Sequence, residues 1–199
     1  AIQVYDQALK IDDNLSTAHA GKGHSYFAKK EIGDAFDAYI NAMKAGTKDP
    51  SCYSNIGDII VSLEGHMEGL KMYEHALMLN SQHIPALQGK ANILFNQQQY
   101  QEALHYYQRI LAIAPENASV KRQIEETTIQ QQRAARQEYE QQRQEQERKA
   151  NTLWVSFYPL RSNCTFEEQT TILKQFIACS PEDQRILTAY VELGVEYAT

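Results

Sequence analysis

Small and apolar residues recur at helical spacing through the first 117 positions, and the whole pattern returns at the interval that separates Gly23 from Gly57. One small-residue column runs Gly23, Gly57, Ala91 and another Ala1, Ala35, Gly69, Ala103, while an aromatic column runs Tyr5, Tyr39, Tyr73, Tyr107. Two further columns, Ala8, Ala42, Ala76, Ile110 and Ile11, Ala45, Leu79, Ile113, keep the same interval. Each period holds two amphipathic stripes separated by turn signals, among them Asp49-Pro50 as a helix cap with proline in the first turn. Gly33-Asp34 and Gly65-His66 punctuate the joints within pairs. The pattern predicts an all-α chain of stacked helix pairs: a second helix alone over Ala1–Asn14, then three full pairs. Two short helices cannot bury a stripe each by themselves, so the pairs must stack, small residues allowing close approach and each tyrosine filling the gap to the next pair.

These residues resemble the tetratricopeptide repeat family, whose units run to about 34 residues. Gly23-His24-Ser25-Tyr26 followed by Ala35, Tyr39 and Ala42 fits its pattern, as do Gly57 and Ile60 with Gly69, Tyr73 and Ala76, and Ala91 and Leu94 with Ala103, Tyr107, Ile110 and Pro115. The closing proline occurs only as Pro115; Asp13, Thr47 and Ser81 stand at the earlier equivalents. The resemblance implies a helix-turn-helix solenoid over residues 1–117 whose first helices line a groove. In this chain the implied groove residues include Ala20, Gly21, Ser54 and Gly89, with His24, Phe27, Asn55, Asp58, Val61, Gln88, Asn92 and Phe95 as partner-binding candidates. Phe27, Val61 and Phe95 form an apolar stripe, and His24, Asp58 and Asn92 a polar one beside it; side-chain amides can hold a peptide backbone while the apolar stripe takes side chains.

Because residues 1–14 match only the second helix of a pair, the chain is expected to begin mid-repeat, with an exposed apolar patch around Val4 and Tyr5 that self-associates.

Beyond Asn117 the pattern changes. From Lys121 to Lys149 nine Gln, six Glu, five Arg and two Lys account for most of the stretch, without Gly or Pro, which predicts a capping and long polar helix over 118–152. Val120, Ile124 and Thr128 are positioned to cap the last repeat, and the helix is expected to run to about Trp154. Its sparse apolar marks do not sustain a heptad, so a coiled coil is only weakly signalled. Residues 153–199 turn apolar again and predict a C-terminal helical hairpin. Thr165-Phe166-Glu167-Glu168 opens a stripe of Phe166, Thr170, Leu173, Phe176 and Ile177; Ser180-Pro181-Glu182-Asp183 opens another of Ile186, Leu187, Tyr190, Leu193 and Tyr197. Trp154 and Phe157 read as core.

Composition narrows the function. In 199 residues, 19 Lys and Arg against 25 Asp and Glu leave a net charge of −6, which disfavours nucleic acid as a partner, and no apolar run is long enough for a membrane span. Three cysteines without a C-x-x-C pair fit a reducing, cytoplasmic (intracellular) setting. The six histidines, at 19, 24, 66, 75, 83 and 105, show no metal-ligand spacing, and no phosphate-binding or nucleophile motif occurs, so no enzyme, metal or cofactor is implied.

The expectation is a protein–protein interaction adaptor or scaffold binding a partner protein or peptide. Alternatives are a self-assembly module acting through the long helix and hairpin, and a regulatory domain cut from a larger enzyme or transport protein. The resemblance also raises the co-chaperone clamp, in which Lys, Arg and Asn side chains grip the C-terminal carboxylates of heat-shock chaperones. Only Asn55 matches it; Ala20 and His24, and Pro85 and Gly89, stand where the other clamp residues would be. Each missing cation removes a charge-assisted bond, so no useful affinity for such a tail is expected.

Overall fold

In the computed structural model, which describes residues 1–160, 165–181, 183, 185 and 186, the described residues form nine helices and no strand. They fall into two units, Ala1–Gln131 and Gln132–Thr199.

The first unit carries the repeat. Helices α2 (Ser16–Ala28), α4 (Pro50–Ser62), α6 (Ile84–Asn96) and α8 (Ala118–Leu160) begin one period apart, and so do α3 (Ile32–Lys44), α5 (His66–Leu79) and α7 (Tyr100–Ile113). The N-terminal α1 (Ile2–Ile11) packs on α2 as a second helix packs on the next pair. Within pairs α2 meets α3, α4 meets α5 and α6 meets α7; between pairs α2 touches α4 and α4 touches α6, so the first helices line one continuous wall. The turn inside each pair is the same device three times. Lys30, Glu64 and Gln98 sit at φ 63°, 66° and 62°, again at the spacing of the repeat. A non-glycine residue pays steric strain there, held in place by the hydrogen-bonded turn around it. Asp49 caps α4 as its sequence promises, its Oδ1 accepting from Ser51 N at 2.9 Å with Pro50 in the first turn. Asn117 caps α8 likewise, accepting from Val120 N at 3.1 Å.

In the full pairs the core follows four of the five columns; the fifth stays at the surface, with Ile11, Leu79 and Ile113 exposed. Ala35, Tyr39, Ala42, Cys52 and Ile56 make one cluster, Tyr73, Ala76, Ala86 and Ile93 a second, and Leu87, Ala91, Ala103, Tyr107, Ile110 and Val120 a third. Tyr39, Tyr73 and Tyr107 are all at most 2% exposed. Burying a large side chain this fully is worth about 1.5–3 kcal/mol. Room for the Tyr39 and Tyr73 rings comes from glycine, while Tyr107 packs where the column holds Ala91. A Cβ on Gly23 would lie 2.4 Å from the Tyr39 ring, one on Gly57 2.7 Å from Tyr73, and one on Gly89, in the following pair, 2.2 Å from the same Tyr73 ring. Tyr73 is thus clasped between two bare backbones. Tyr5 covers Gly21 in the same way and is half-buried, so of the expected N-terminal patch Val4, 65% exposed, is open, joined by Ile11.

The start of α8 occupies the first-helix position of a further repeat. Val120 is buried and Ile124 packs on the last cluster, as expected; the third capping residue is the buried Thr127, because Thr128 lies one step around the helix.

In the second unit α8 continues to Leu160, beyond the expected end near Trp154. Its polar stretch carries Arg136–Glu140, Arg143–Glu147 and Lys149–Glu145 pairs four residues apart, each worth only a few tenths of a kcal/mol. From Ala150 it gains an apolar face. Ala150, Leu153 and Trp154 pack with Leu173, Phe176 and Ile177 of α9 (Phe166–Cys179) and with Ile186. Thr165 and Glu168 form the anticipated capping box. Arg185 lies over both the Trp154 and Phe176 rings, at 5.7 and 5.3 Å, and donates to Asn151 Oδ1 at 2.8 Å. The expected second hairpin helix, with Leu187, Tyr190, Leu193 and Tyr197, and the side chain of Phe157 lie outside the described residues.

A paired substitution tests the clasp. Alanine for a glycine in a compatible backbone conformation ordinarily stabilises by about 0.4–1 kcal/mol, and Gly33→Ala, in the first turn of α3 where a Cβ meets nothing within 4 Å, is expected to do so. Gly89→Ala is expected to destabilise by about 1–3 kcal/mol, because the Tyr73 ring must move; urea unfolding of both variants reads the opposite signs.

Candidate functional site

The wall formed by α2, α4, α6 and the start of α8 carries the candidate residues, and the constant period puts equivalent positions side by side. His24, Asp58 and Asn92 occupy one such position, each 15 residues before the buried tyrosine of its own pair. Each reaches that tyrosine's hydroxyl. Tyr73 Oη donates to Asp58 Oδ1 at 2.6 Å, Tyr107 Oη donates to Asn92 Oδ1 at 2.9 Å, and Tyr39 Oη lies 2.9 Å from His24 Nδ1. The polar stripe therefore satisfies the phenols that the core would otherwise strand, and burial drives all three tyrosines upward, Tyr39 and Tyr107 to about 12.

The other candidates are partly committed too. Asn55 Nδ2 donates to Tyr39 Oη at 2.7 Å, and Gln88 Nε2 donates to Asn92 Oδ1 at 2.9 Å and to Gln123 Oε1 at 3.0 Å. Phe27, Val61 and Phe95 are half-buried against the clusters. Phe27 lies 6.4 Å from the Tyr39 ring, Phe95 stacks edge-on with Tyr100 at 5.7 Å, and Val61 fills the notch left by Gly69. Ala20, Ser54 and Gly89, expected on the open wall, are buried instead. Gly89 lies under the Tyr73 ring, and Ser54 Oγ is held 3.0 Å from His83 Nε2.

A cavity of ≈ 270 Å³ opens where α6 meets α8, lined by Asn92, Phe95, Asn96, Tyr107, Gln123, Glu126 and Thr127. It gathers one aromatic face and several amide groups, the chemistry for holding an extended backbone. Gln123 and Glu126 were not among the candidates, yet the repeat itself points to them: Gln123 falls one period after Gly89, and Glu126 one period after Asn92. Further concavities occur among the described residues, two of them beside side chains of interest. One of ≈ 350 Å³ is bounded by α2 and the α3–α4 loop, with Thr17, His24, Thr47 and Asp49 among its walls. The other, ≈ 630 Å³, belongs to the second unit and is lined by Arg148, Thr152, Leu153, Gln175 and Cys179 among others.

Sequence spacing offers no metal motif, but among the described residues packing brings one trio together: His24, Asp49 and Cys52 place a ring nitrogen, a carboxylate oxygen and a thiol sulfur within 4.8 Å of one another. His24 Nε2 lies 2.8 Å from Asp49 Oδ2 and Cys52 Sγ 3.7 Å from the same oxygen. Asp49 is held below the usual carboxylate range: its burial, which opposes this, is outweighed by hydrogen bonds from His24 and Ser51. Burial pushes the Cys52 thiol up to about 12.

Asp58 is shifted the other way, above its ordinary value, chiefly by lost solvation, against the Tyr73 hydrogen bond and the attraction of His83. Its contribution to stability is therefore present while the carboxyl is protonated and lost as pH rises through the raised value. Asp58→Asn copies Asn92, keeps an acceptor for the phenol and removes the charge. The variant is expected to gain stability over the parent as pH is raised from the ordinary carboxylate range to neutrality, read as diverging thermal midpoints across a pH series.

Comparison with known proteins places the repeat. Residues 84–117 match the tetratricopeptide repeat family model. The chain is 30% identical over 112 residues to Hsp70-Hsp90 organizing protein 2 of Arabidopsis thaliana, covering 56% of this chain and 20% of that protein. It is 24% identical over 193 residues to a DnaJ homolog subfamily C member 7 homolog of Dictyostelium discoideum, covering 85% and 36%. It thus spans between a fifth and about a third of these relatives. Among solved structures, YrrB, a tetratricopeptide repeat protein with an unusual peptide-binding site, superposes with a TM-score of 0.54 at 22% identity, covering 96% of this chain and 81% of that one. The first repeat domain of Spaghetti (RPAP3) bound to the HSP90 peptide SRMEEVD gives 0.52 at 22% identity, covering 57% and 92%. These likenesses establish the fold.

Proposed function

We infer that this chain, whose N-terminal array is built from tetratricopeptide repeats, is an adaptor that binds an extended segment of a partner protein along the wall of first helices. The observation that carries this reading is the cavity between α6 and α8, where Phe95 and the amides of Asn92, Asn96 and Gln123 converge beside the exposed carboxylate of Glu126. A peptide backbone would pair with the amides and set side chains against the aromatic edge. On this reading the chain turns over no substrate and works in the cytoplasm; among the described residues no helix is long and apolar enough to cross a membrane.

Relatives named for Hsp70 and Hsp90 raise the question of a chaperone tail. The geometry speaks against a carboxylate clamp here. Asn55, the one matching residue, is bonded to Tyr39, and Gly89, where a clamp cation would stand, lies beneath the Tyr73 ring. A side chain at that position would displace the ring that joins two repeats.

Two measurements separate these readings. A Glu-Glu-Val-Asp peptide is expected to show no micromolar binding by calorimetry; micromolar binding lost on Asn55→Ala would establish the clamp instead. Asn96→Arg combined with Glu126→Arg alters two exposed groove residues that hold no core contact in the clusters. Partner capture compared by quantitative mass spectrometry is expected to fall at least tenfold with helicity unchanged, and undiminished capture would move the site elsewhere on the chain.

A further inference from the structure

We propose that His24, Asp49 and Cys52 form a binding site for a zinc-type divalent cation, built across the first repeat-to-repeat junction. The three residues come from α2, the N-cap of α4 and the first turn of α4, and their ligand atoms lie within 4.8 Å of one another. A tetrahedral cation with bonds of about 2.3 Å to sulfur and about 2.0 Å to oxygen and nitrogen sets sulfur–oxygen and nitrogen–oxygen edges of about 3.5 and 3.3 Å. The observed sulfur–oxygen separation is 3.7 Å and the nitrogen–oxygen separation 2.8 Å. Loading opens the imidazole–carboxylate edge by about half an ångström and brings the sulfur and the ring nitrogen, which lie within 4.8 Å of one another, to an edge of about 3.5 Å.

The surroundings suit a cation more than a chance contact would. His24 Nδ1 is already held by Tyr39 Oη at 2.9 Å, and that oxygen by Asn55 Nδ2 at 2.7 Å, a second layer of the kind that fixes the ring of a metal-bound histidine. One thiolate and one carboxylate neutralise a divalent charge, and the sulfur–nitrogen–oxygen set selects zinc over magnesium or calcium. The ≈ 350 Å³ cavity reaches His24 and Asp49 from outside, giving an entry path and room for a water as fourth ligand. Loading displaces the Cys52 thiol proton. His24 would bind through Nε2, so the ring proton that Nε2 directs at Asp49 in the unloaded site moves to Nδ1, facing Tyr39 Oη, and the phenol gives up Nδ1 as its acceptor. The cation would clamp α2 to α4, the two helices at the entrance to the groove.

Cobalt is the probe. Titration of the full chain with Co²⁺ is expected to give one tetrahedral site per chain, with a thiolate-to-cobalt charge-transfer band that Zn²⁺ removes. Cys52→Ser should abolish the band, and Cys179→Ser and Cys164→Ser should leave it. Asp49→Asn keeps a competent helix cap and His24→Gln a comparable volume, so both test the site should Cys52→Ser fail to fold; each should weaken cobalt at least tenfold. No charge-transfer band, a band that survives Cys52→Ser, or equal affinity in the Asp49 and His24 variants would overturn the assignment.

Discussion

The first unit is organised by a buried tyrosine ring in each full pair, seated against a small residue of the first helix, with its hydroxyl tied down. Tyr39 and Tyr73 fit because Gly23 and Gly57 offer no Cβ, and Tyr73 also needs Gly89 in the next pair. The phenol at the tip would be stranded in the core without His24, Asp58 or Asn92 to receive it. Ring, glycine and polar partner are separate demands on separate columns. The first two full pairs meet all three at one constant interval, and the third meets them with Ala91 in place of the glycine, so one pair stacks on the next in a single register.

That constraint shapes the binding wall. Residues that look like a free polar stripe in the sequence are occupied by the core behind them, so the surface offered to a partner consists of what remains: exposed Asn96 and Glu126, the half-buried edges of Phe95 and Val61, and amides with unused donors. The column holding Gly21, Asn55, Gly89 and Gln123 shows how one position serves both ends. Where it is glycine a ring from the preceding pair covers it; Asn55 binds that ring's hydroxyl, and Gln123 joins the amide cluster at the last junction. On the function proposed above, a wall built this way reads amide and apolar features rather than negative charge.

The second unit is organised by different forces. Between Gln132 and Lys149 the long helix owes its continuity to helix-favouring residues and spaced ion pairs, with little packing. From Ala150 onward, packing takes over: the Trp154–Phe176 contact and the Arg185 guanidinium over both rings give α9 a defined seat on the same helix.

The sequence by itself determined the helices, their period and the buried columns, because each is a local choice repeated: amphipathic spacing, caps such as Asp49-Pro50 and Thr165–Glu168, and small residues at fixed intervals. Even the capping role of Val120 and Ile124 was legible, while Thr127 replaced Thr128 because a shift of one residue turns a helix position by about 100°. Tertiary structure alone decided which groove residues are free. His24, Asp58 and Asn92 differ in type, and only their shared reach to a hydroxyl 15 residues on reveals a common task. The same holds for His24, which meets Asp49 and Cys52, neighbours at the start of α4, because α2 and α4 pack side by side. Distance along the chain carries no information about such meetings; the angle at which two helix pairs settle on one another does.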